Sequence, residues 1–514
     1  MRLSFRILVC LVALLDSGAS RVWAQLSTAT INGNVRDASG AAISGASIEL
    51  TSTGTGVARR TTSNESGAYT FLGIQPGSYT LQASATGMAP QRLSPFTLQV
   101  NQTATLDFDL KPGDVTQSVT VSGSVVEVQS STAELGSVVA QKAVADLPLN
   151  GRNFSQLLAL TPGVSPVSVS QNASGPLRSV GTVVMPSVNG QTGRSNIFLL
   201  DGVVNFGANQ NYYIVTPIIE TIQEFKVQAH NDLAEFGGAL GGVVNVVTKA
   251  GTNELHGSGW WFIRNDAFDA RSFFQPAVTP FRWNQYGCSV GGPVTIPKLY
   301  DGKNRTFFLL GYHGYKLRRP NQAFYRVPTP ANLTGDLSDW PRQIFNPLTT
   351  RPDPGRPGAF VRDPFPGNQI PVSLLDPGAL LYARSTLPTP IVTGVADRNA
   401  QDGTPFSQNQ EEYHARVDHT FRERDLAWFR WSGRLSSVKS SAGRPSLPTN
   451  NPTSRRNMGA AWVHTFSAAT VLQVQFGHSR QFDETITRFR GLPDNFIGSA
   501  GFSDAIARNY ELTR

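Results

Sequence analysis

The side chains able to do chemistry are few and poorly placed for it. Seven histidines (His230, His256, His313, His414, His419, His464 and His478) and two cysteines (Cys10 and Cys288) are spread over 514 residues. A catalytic zinc needs clustered His, Cys or carboxylate ligands with one position left open. No histidine sits in an H-E-x-x-H or H-x-x-E frame, and no Cys pair exists. His414 and His419 are five apart in an alternating run, so on a strand they point to opposite faces. There is no P-loop. Gly287 to Gly292 (GCSVGG) offers a thiol and a hydroxyl without an identifiable base, and reads as strand. Arg152 and Asp201 invite pairing as a catalytic couple; the plainer reading makes them structural charges. These residues support neither an enzyme nor a bound cofactor.

The element around which the chain is organised is a backbone motif. Ile219 to Asn253 begins with Ile222, Glu224 and Lys226 alternating against Gln223, Phe225 and Val227, the period of a strand. Five glycines follow (Gly237, Gly238, Gly241, Gly242 and Gly251), with a second apolar run from Val243 to Val247. Glycines at this density let backbone approach backbone closely. Upstream, Phe154, Leu157, Leu158 and Leu160 predict a helix stopping at Thr161-Pro162-Gly163, and Asn196 to Val203 predicts a strand entering a turn.

Composition favours strands throughout. Charged residues are 16%, aromatics 10%, and there are 48 glycines and 33 prolines, which suits short strands joined by turns. The net charge of +8 is dispersed in isolated doublets such as Arg318-Arg319 and Arg455-Arg456, which argues against a nucleic-acid partner. Residues 1–24 read as a signal peptide: Arg2 and Arg6, an apolar run Ile7 to Leu15, and Val22-Trp23-Ala24 before the cut. With Cys10 removed, Cys288 stands alone.

Residues 25–112 predict a small Ig-like β-sandwich, with alternation at Ile31 to Val35, Ile43 to Leu50, Tyr69-Phe71, Tyr79-Leu81, Phe96 to Val100 and Leu106 to Leu110. The turn signals are Asp37 to Gly40, Asn64 to Gly67 and Pro76-Gly77. On these residues the segment resembles the carboxypeptidase regulatory-like domain. It contains no histidine, so the name implies no zinc site here.

From residue 251 to 514 seven strands are expected, at about 255–263, 283–293, 304–316, 410–421, 425–435, 458–467 and 470–480. Tyr413, Ala415, Val417 and Phe421 alternate with His414, Arg416, Asp418 and Thr420, the pattern of a transmembrane barrel wall. Connections alternate short (294–303, 422–424, 468–469) and long (264–282, 317–409, 436–457, 481 onward), as bacterial barrels require. The longest holds 15 prolines and is expected to be irregular and exposed. Trp260, Trp261, Tyr312, Trp428, Trp431 and Trp462 are candidates for interfacial girdles.

The motif that closes the central segment resembles the plug of TonB-dependent outer-membrane transporters: Gly237, Gly241, Gly242, Val243, Asn245, Thr248 and Lys249 fall in its pattern. "LPLNGRN" (with Arg152), "LLDG" (with Asp201 and Gly202), "FPGNQIP" and "EYHARVDHTF" resemble the Oar-like subgroup. The resemblance implies a mainly β protein in five parts: a signal peptide (1–24), the sandwich (25–112), a linker (113–132), an α+β plug domain (133–250) and the first part of an antiparallel transmembrane β-barrel (251–514). Within the linker, Val115, Thr116, Val119, Thr120 and Val121 resemble a TonB box, a strand offered to a periplasmic energising protein. The further implied partners are outer-membrane lipid and an extracellular ligand: a peptide, a glycan or a metal chelate. Seven strands are too few to enclose a plug of this size, so a partial copy of a longer transporter is expected. The rival reading is a cell-surface adhesion or polysaccharide-binding protein built of β-sandwiches, without transport; a periplasmic hydrolase would need a constellation absent here.

Overall fold

A computed structural model describes residues 28–113, 119–121, 135–167, 185–207, 213–230, 240–271, 273, 277–320, 324–390, 399–401, 405–440, 449–467, 470–487 and 496–503. The expected signal peptide, Val115, Thr116 and Gly237 lie outside these residues.

Short alternating runs between Asn, Asp and Gly turns build the amino-terminal sandwich. Its strands are β1 (Ala29–Asp37), β2 (Ser47–Ser52), β3 (Ala58–Thr62), β4 (Ala68–Ile74), β5 (Gly77–Ser84), β6 (Gln91–Leu93), β7 (Phe96–Leu98), β8 (Thr103–Thr105) and β9 (Phe108–Leu110). One sheet pairs β4, β1 and β8, with β9 also on β1; the other runs β6-β5-β2-β3, with β7 on β5. Ile31, Ile48, Leu50, Phe71, Leu98 and Phe108 fill the space between them. Burying each such side chain contributes about 1.5–3 kcal/mol. The turns form where the sequence marks them. Asp37 Oδ1 accepts from Ser39 N (2.8 Å) and Ala41 N (2.9 Å), and Asn64 Oδ1 accepts from Ser66 N (3.0 Å) and Ala68 N (2.9 Å). These are side-chain-closed Asx turns. From the linker, β10 (Val119–Val121) adds to this sheet in parallel to β6.

The central domain is a five-stranded mixed sheet: β11 (Leu135–Ala140), helix α1 (Gln141–Asp146), a 3-10 helix Phe154–Leu160, a hairpin of β12 (Val164–Val167) and β13 (Met185–Val188), then β14 (Ile197–Leu200), β15 (Val203–Val204), β16 (Ile222–His230) and β17 (Val243–Thr248). The sheet order is β11-β16-β17-β14-β15. The helix expected from Phe154 is a 3-10 helix, closed where Asn153 Oδ1 accepts from Ser155 N (3.0 Å). β16 alternates in sequence, yet Glu224 and Lys226 are as buried as Phe225 and Val227. The inner strands β16, β17 and β14 have no wet face, whereas β11 at the edge is partly exposed.

The carboxy-terminal half is one antiparallel meander: β18 (His256–Asn265), β19 (Arg282–Pro293), the small hairpin β20 (Thr295–Ile296) and β21 (Tyr300–Asp301), then β22 (Thr306–Pro320). The long connection carries β23 (Phe324–Tyr325), β24 (Arg351–Pro352), β25 (Phe360–Val361), helix α2 (Pro377–Thr386) and β26 (Ala400–Gln401). Then come β27 (Pro405–Arg422), β28 (Asp425–Ser440), β29 (Thr449–Ser467) and β30 (Thr470–Asp483), with β31 (Ile486–Thr487) returning to β29. All seven expected strands are present, each paired to the next.

Two expectations need correction. The loop expected at 436–457 is mostly strand, because β28 and β29 pair as far as Ser440↔Thr449. Apart from Val438 and Pro452 their tips are polar, so no hydrophobic period marks them, while a ladder needs only backbone groups. The Pro-rich connection is also less irregular than expected: Asp376 Oδ1 accepts from Ala379 N (2.7 Å) and caps α2, with Pro377 at its first turn.

Candidate functional site

Over much of its area the meander is inside-out relative to a soluble sheet, although Trp283, Tyr315, Leu317, Phe406 and Val438 form an apolar cluster on the inner side. On β30, Leu472, Val474 and Phe476 are exposed, while Gln473 and Gln475 turn inward. On β27 the exposed Val417 and Phe421 alternate with buried Glu412, His414, Arg416 and Asp418. On β28 the exposed Phe429 and Leu435 flank fully buried Arg430. Burying charges while exposing aliphatic and aromatic groups is unfavourable in water and favourable where the outer face meets hydrocarbon and the inner face meets polar partners.

Aromatic rings border this outer face. Tyr286, Tyr312, Tyr413 and Trp431 form a chain across β19, β22, β27 and β28, with centroids 6.3, 5.4 and 6.4 Å apart. Near the short turns, His419 stacks edge-on with Phe421 at 4.3 Å, and His464 lies between Trp462 (5.6 Å) and Phe466 (4.4 Å). Of the girdle candidates, Trp261, Tyr312, Trp431 and Trp462 share this face. Trp260 and Trp428 turn inward, where Arg152 lies over the first ring (5.5 Å) and Arg416 over the second (5.3 Å).

The inner face grips one hairpin of the central domain. β14 and β15 are joined by the two residues Asp201 and Gly202, both left-handed (φ 50° and 75°), as a two-residue type I′ turn demands. Glycine suits the second position, and aspartate tolerates the first. Asp201 Oδ1 accepts from Thr248 N and Oδ2 from Thr248 Oγ1, both at 2.8 Å. Arg430 Nε lies 2.8 Å from Asp201 Oδ2, an ion pair whose N–H is not aligned as a hydrogen bond, and Arg416 Nη1 lies 3.4 Å from Oδ1. Arg416 also pairs with Asp418 at 2.8 Å. Wall side chains bond the hairpin carbonyls: Arg430 Nη2 donates to Leu200 O (3.1 Å), Gln475 Nε2 to Asp201 O (2.8 Å), and both Asn457 Nδ2 (2.8 Å) and Ser479 Oγ (2.6 Å) to Val204 O. Val203 enters the space left by Gly459 and Gly477, which face each other across β29 and β30. A Cβ on Gly477 would stand 2.6 Å from a Val203 methyl.

Arg152 belongs to a second contact and does not meet Asp201. It is paired with Glu220 and lies over Phe262 at 4.5 Å. Beside it, a cavity of about 580 Å³ opens between α1, Trp283, Gln285 and Arg264. Gly241 packs against Asn196, whose Oδ1 accepts from Gly242 N (3.0 Å), and a Cβ on Gly242 would lie 2.8 Å from Gln228 O. Asn245 is buried in β17. Burial lowers the Lys249 pKa, and the Glu220 charge opposes that shift.

The sandwich sits at the short-turn end of the meander. Arg59 Nη2 donates to Thr465 Oγ1 (3.2 Å), Arg60 pairs with Glu423 (2.9 Å), and Gln75 Nε2 donates to Asp418 Oδ1 (3.2 Å). Val100 N donates to Glu224 of the central domain. Glu224 is nearly inaccessible, and burial pushes its pKa up to about 7 against the opposing pull of that bond and of Lys226. Of the TonB-box-like residues, Val119, Thr120 and Val121 are placed, opposite Gln91, Arg92 and Leu93.

Sequence reading missed Arg416, Arg430, Glu220 and Glu224. The only available signal was a charge in the polar phase of an alternating run, which does not reveal its partner. It also found no G-x-S-x-G frame, although Gly287–Gly291, within the stretch read as strand, spells one. A nucleophile elbow needs a strand–turn–helix, whereas these residues lie mid-strand in β19 and Ser289 Oγ bonds Ser258 Oγ at 2.8 Å. Among the described residues no group of three or more His, Cys, Asp or Glu is arranged to hold a metal.

Comparison with known proteins agrees with this architecture. A family model described as outer membrane beta barrel domain matches residues 247–512, and one described as carboxypeptidase regulatory-like domain matches 30–111. Over 255 residues the chain is 28% identical to the TonB-dependent transporter Oar of Myxococcus xanthus, covering 46% of this chain and 22% of that protein. The chain thus spans less than a quarter of the length of that curated relative. Among solved structures, the outer membrane transporter YddB from Escherichia coli aligns with a TM-score of 0.43 at 12% identity, covering 68% of this chain and 39% of that one. The siderophore receptor PirA from Pseudomonas aeruginosa aligns with a TM-score of 0.36 at 14% identity, covering 68% and 41%.

Proposed function

Because the chain belongs to the outer membrane beta barrel domain family, we propose that it acts as part of a TonB-dependent outer-membrane receptor or transporter. In this reading β18 to β30 form barrel wall, the central domain is the plug, and the sandwich hangs on the periplasmic side. The observation that carries it is the inverted polarity of the meander, apolar outside and charged inside, with the charges matched to the β14–β15 hairpin. A soluble adhesion sandwich would place the apolar face inward.

The parts then have distinct roles. The long-loop end and the upper surface of the plug meet an extracellular ligand, a peptide, glycan or metal chelate. The Asp201-Gly202 hairpin, held by Arg416 and Arg430, keeps the plug against the wall. The segment containing Val115, Thr116, Val119, Thr120 and Val121 is the strand given to a TonB-type periplasmic partner by β-addition. Pulling on it moves the plug relative to the wall. Gly241, Gly242, Asn245, Thr248 and Lys249 support the hairpin; none does covalent chemistry.

The test is cell fractionation followed by gel mobility with and without heating. Recovery in the outer membrane, extraction only by detergent and heat-modifiable mobility are expected. Release as a soluble monomer of unchanged mobility would overturn the reading. Growth and labelled-ligand uptake of a deletion strain across nutrient sources would then assign the ligand class.

A further inference from the structure

Arg456 and Arg480 stand directly opposite each other in the β29–β30 ladder, both on the outward, exposed face. Like charges at directly opposed positions of an antiparallel pair repel. Neither guanidinium makes a hydrogen bond or ion pair among the described residues. The position beside Arg456 on β28 is Gly433, so no side chain rises over it from that strand. One residue away, on the inward face, the chain supplies a carboxylate: Arg455 is paired with Asp483 at 3.0 Å. The outward pair has no such partner.

Its level on the wall indicates what fills the gap. Toward the short turns the same two strands continue outward with Met458 opposite His478, then Ala460 opposite Phe476 and Trp462 opposite Val474. On the long-loop side the next outward pair is Ser454 opposite Phe482, with Leu435 beside Ser454 on β28, and beyond it come Pro452 and Asn450, so the arginines sit near the long-loop margin of the apolar outer face. The outward cations Lys316, Arg318 and Lys439 lie still nearer the long loops, level in the ladder with Pro452 and Asn450. The outward carboxylate of Glu411 accepts from the Tyr413 hydroxyl at 2.6 Å. A fixed anion at the hydrocarbon border fits this charge and this depth.

We propose that Arg456 and Arg480 form a phosphate-binding site for a phosphorylated glycolipid headgroup of the surrounding leaflet. Two guanidinium forks share the phosphate oxygens, a geometry that favours arginine. The acyl chains then lie along Phe476, Val474 and Leu472, and the bound phosphate removes the repulsion between β29 and β30. The proposal rests on the membrane reading above.

The experiment uses the full chain in phosphatidylcholine nanodiscs doped with bisphosphorylated lipid A, with retained lipid counted by native mass spectrometry. Selective retention of the phosphorylated glycolipid is expected. It should fall by roughly tenfold or more with dephosphorylated lipid A or in the R456Q/R480Q variant, and by less in R456K/R480K, as loss of charge-assisted hydrogen bonds implies. Equal retention of the dephosphorylated lipid by the unaltered chain would overturn the proposal whether or not the variants fold, as would equal retention by a folded R456Q/R480Q. Displacement of the lipid by inorganic phosphate would make the site one for the free ion and overturn the lipid assignment. Failure of the chain to enter nanodiscs would overturn the membrane reading itself; entry without phosphate selectivity would overturn this site alone.

Discussion

Asp201 and Arg430 meet across the seam between the central domain and the meander, Oδ2 to Nε at 2.8 Å, with the arginine side chain 0% exposed. A guanidinium in that setting is tolerated because a carboxylate and polar acceptors face it: Leu200 O and Asn457 Oδ1 accept from Nη2 at 3.1 and 2.5 Å, and Ser432 Oγ accepts from Nη1 at 3.1 Å. The partner comes from a turn whose left-handed backbone only a few residue types adopt.

Replacing Asp201 by Ala should therefore be severe. It leaves Arg416 and Arg430 buried with the hairpin carboxylate gone, a situation that costs about 3–5 kcal/mol. Limited proteolysis should show the central domain cut faster while the meander resists. Asp201→Ala combined with Arg430→Met should recover part of the loss; strictly additive effects would mean that the two residues are not coupled.

The glycine cradle makes a second expectation. Gly477→Val drives two methyls toward Val203, and overpacking of this kind costs about 1–3 kcal/mol. A cysteine pair joining hairpin and wall near this point should crosslink in the unaltered chain and lose efficiency in Gly477→Val. Unchanged crosslinking would show that Val203 does not occupy the cradle.

The two faces of β30 should respond oppositely to charge. Val474→Arg places a cation against hydrocarbon and should cost about 2–4 kcal/mol. Gln473→Arg, one residue away and inward, should cost much less. Comparable losses in reconstituted vesicles would contradict the assigned faces.

Glu224 gives the assembly a pH dependence. Its pKa in the folded protein, about 7, is raised above the ordinary 4.5 by burial. The folded state thus binds the proton more tightly than the unfolded one. The Glu224 contribution to stability is greatest below about pH 4.5, falls between 4.5 and about 7, and is flat above, at a slope of at most about 1.4 kcal/mol per pH unit. Glu224→Gln should remove this slope, and denaturant titrations across that window would reveal it. The Val100 N–H favours the ionised carboxylate, so this one contact with the sandwich opposes the trend.

Val119→Pro should abolish ligand uptake and leave surface binding intact, since proline removes a backbone donor from the strand offered to the partner. Uptake at the level of the unaltered chain would retire the role given to Val119, Thr120 and Val121.

The strands were legible because their alternation is strong: Leu472 to Phe476 on β30 and Tyr413 to Phe421 on β27 announce two faces. Which face meets water is a property of the surroundings, and the same period would serve a soluble sandwich. Connection lengths resolved that ambiguity, except where the polar tips of β28 and β29 hid four further register pairs beyond Ser436↔Thr453. The LLDG motif marked a turn, yet its partners Arg416 and Arg430 lie more than two hundred residues downstream. Arg416 carried no mark separating it from outward-facing Arg456; only packing does so. Trp260 and Trp428 show the same limit, since a tryptophan near a strand end looks alike whether it meets lipid or an arginine.

Everything turns on which way β30 faces, and site-directed spin labelling reads that directly. Single cysteines at Leu472, Gln473, Val474, Gln475 and Phe476, in a Cys288→Ser background and reconstituted vesicles, should show oxygen accessibility alternating with period two. High values are expected at 472, 474 and 476 and low values at 473 and 475. The reverse phase, with 472, 474 and 476 shielded from both oxygen and water, would mean a filled soluble core and would contradict the membrane wall.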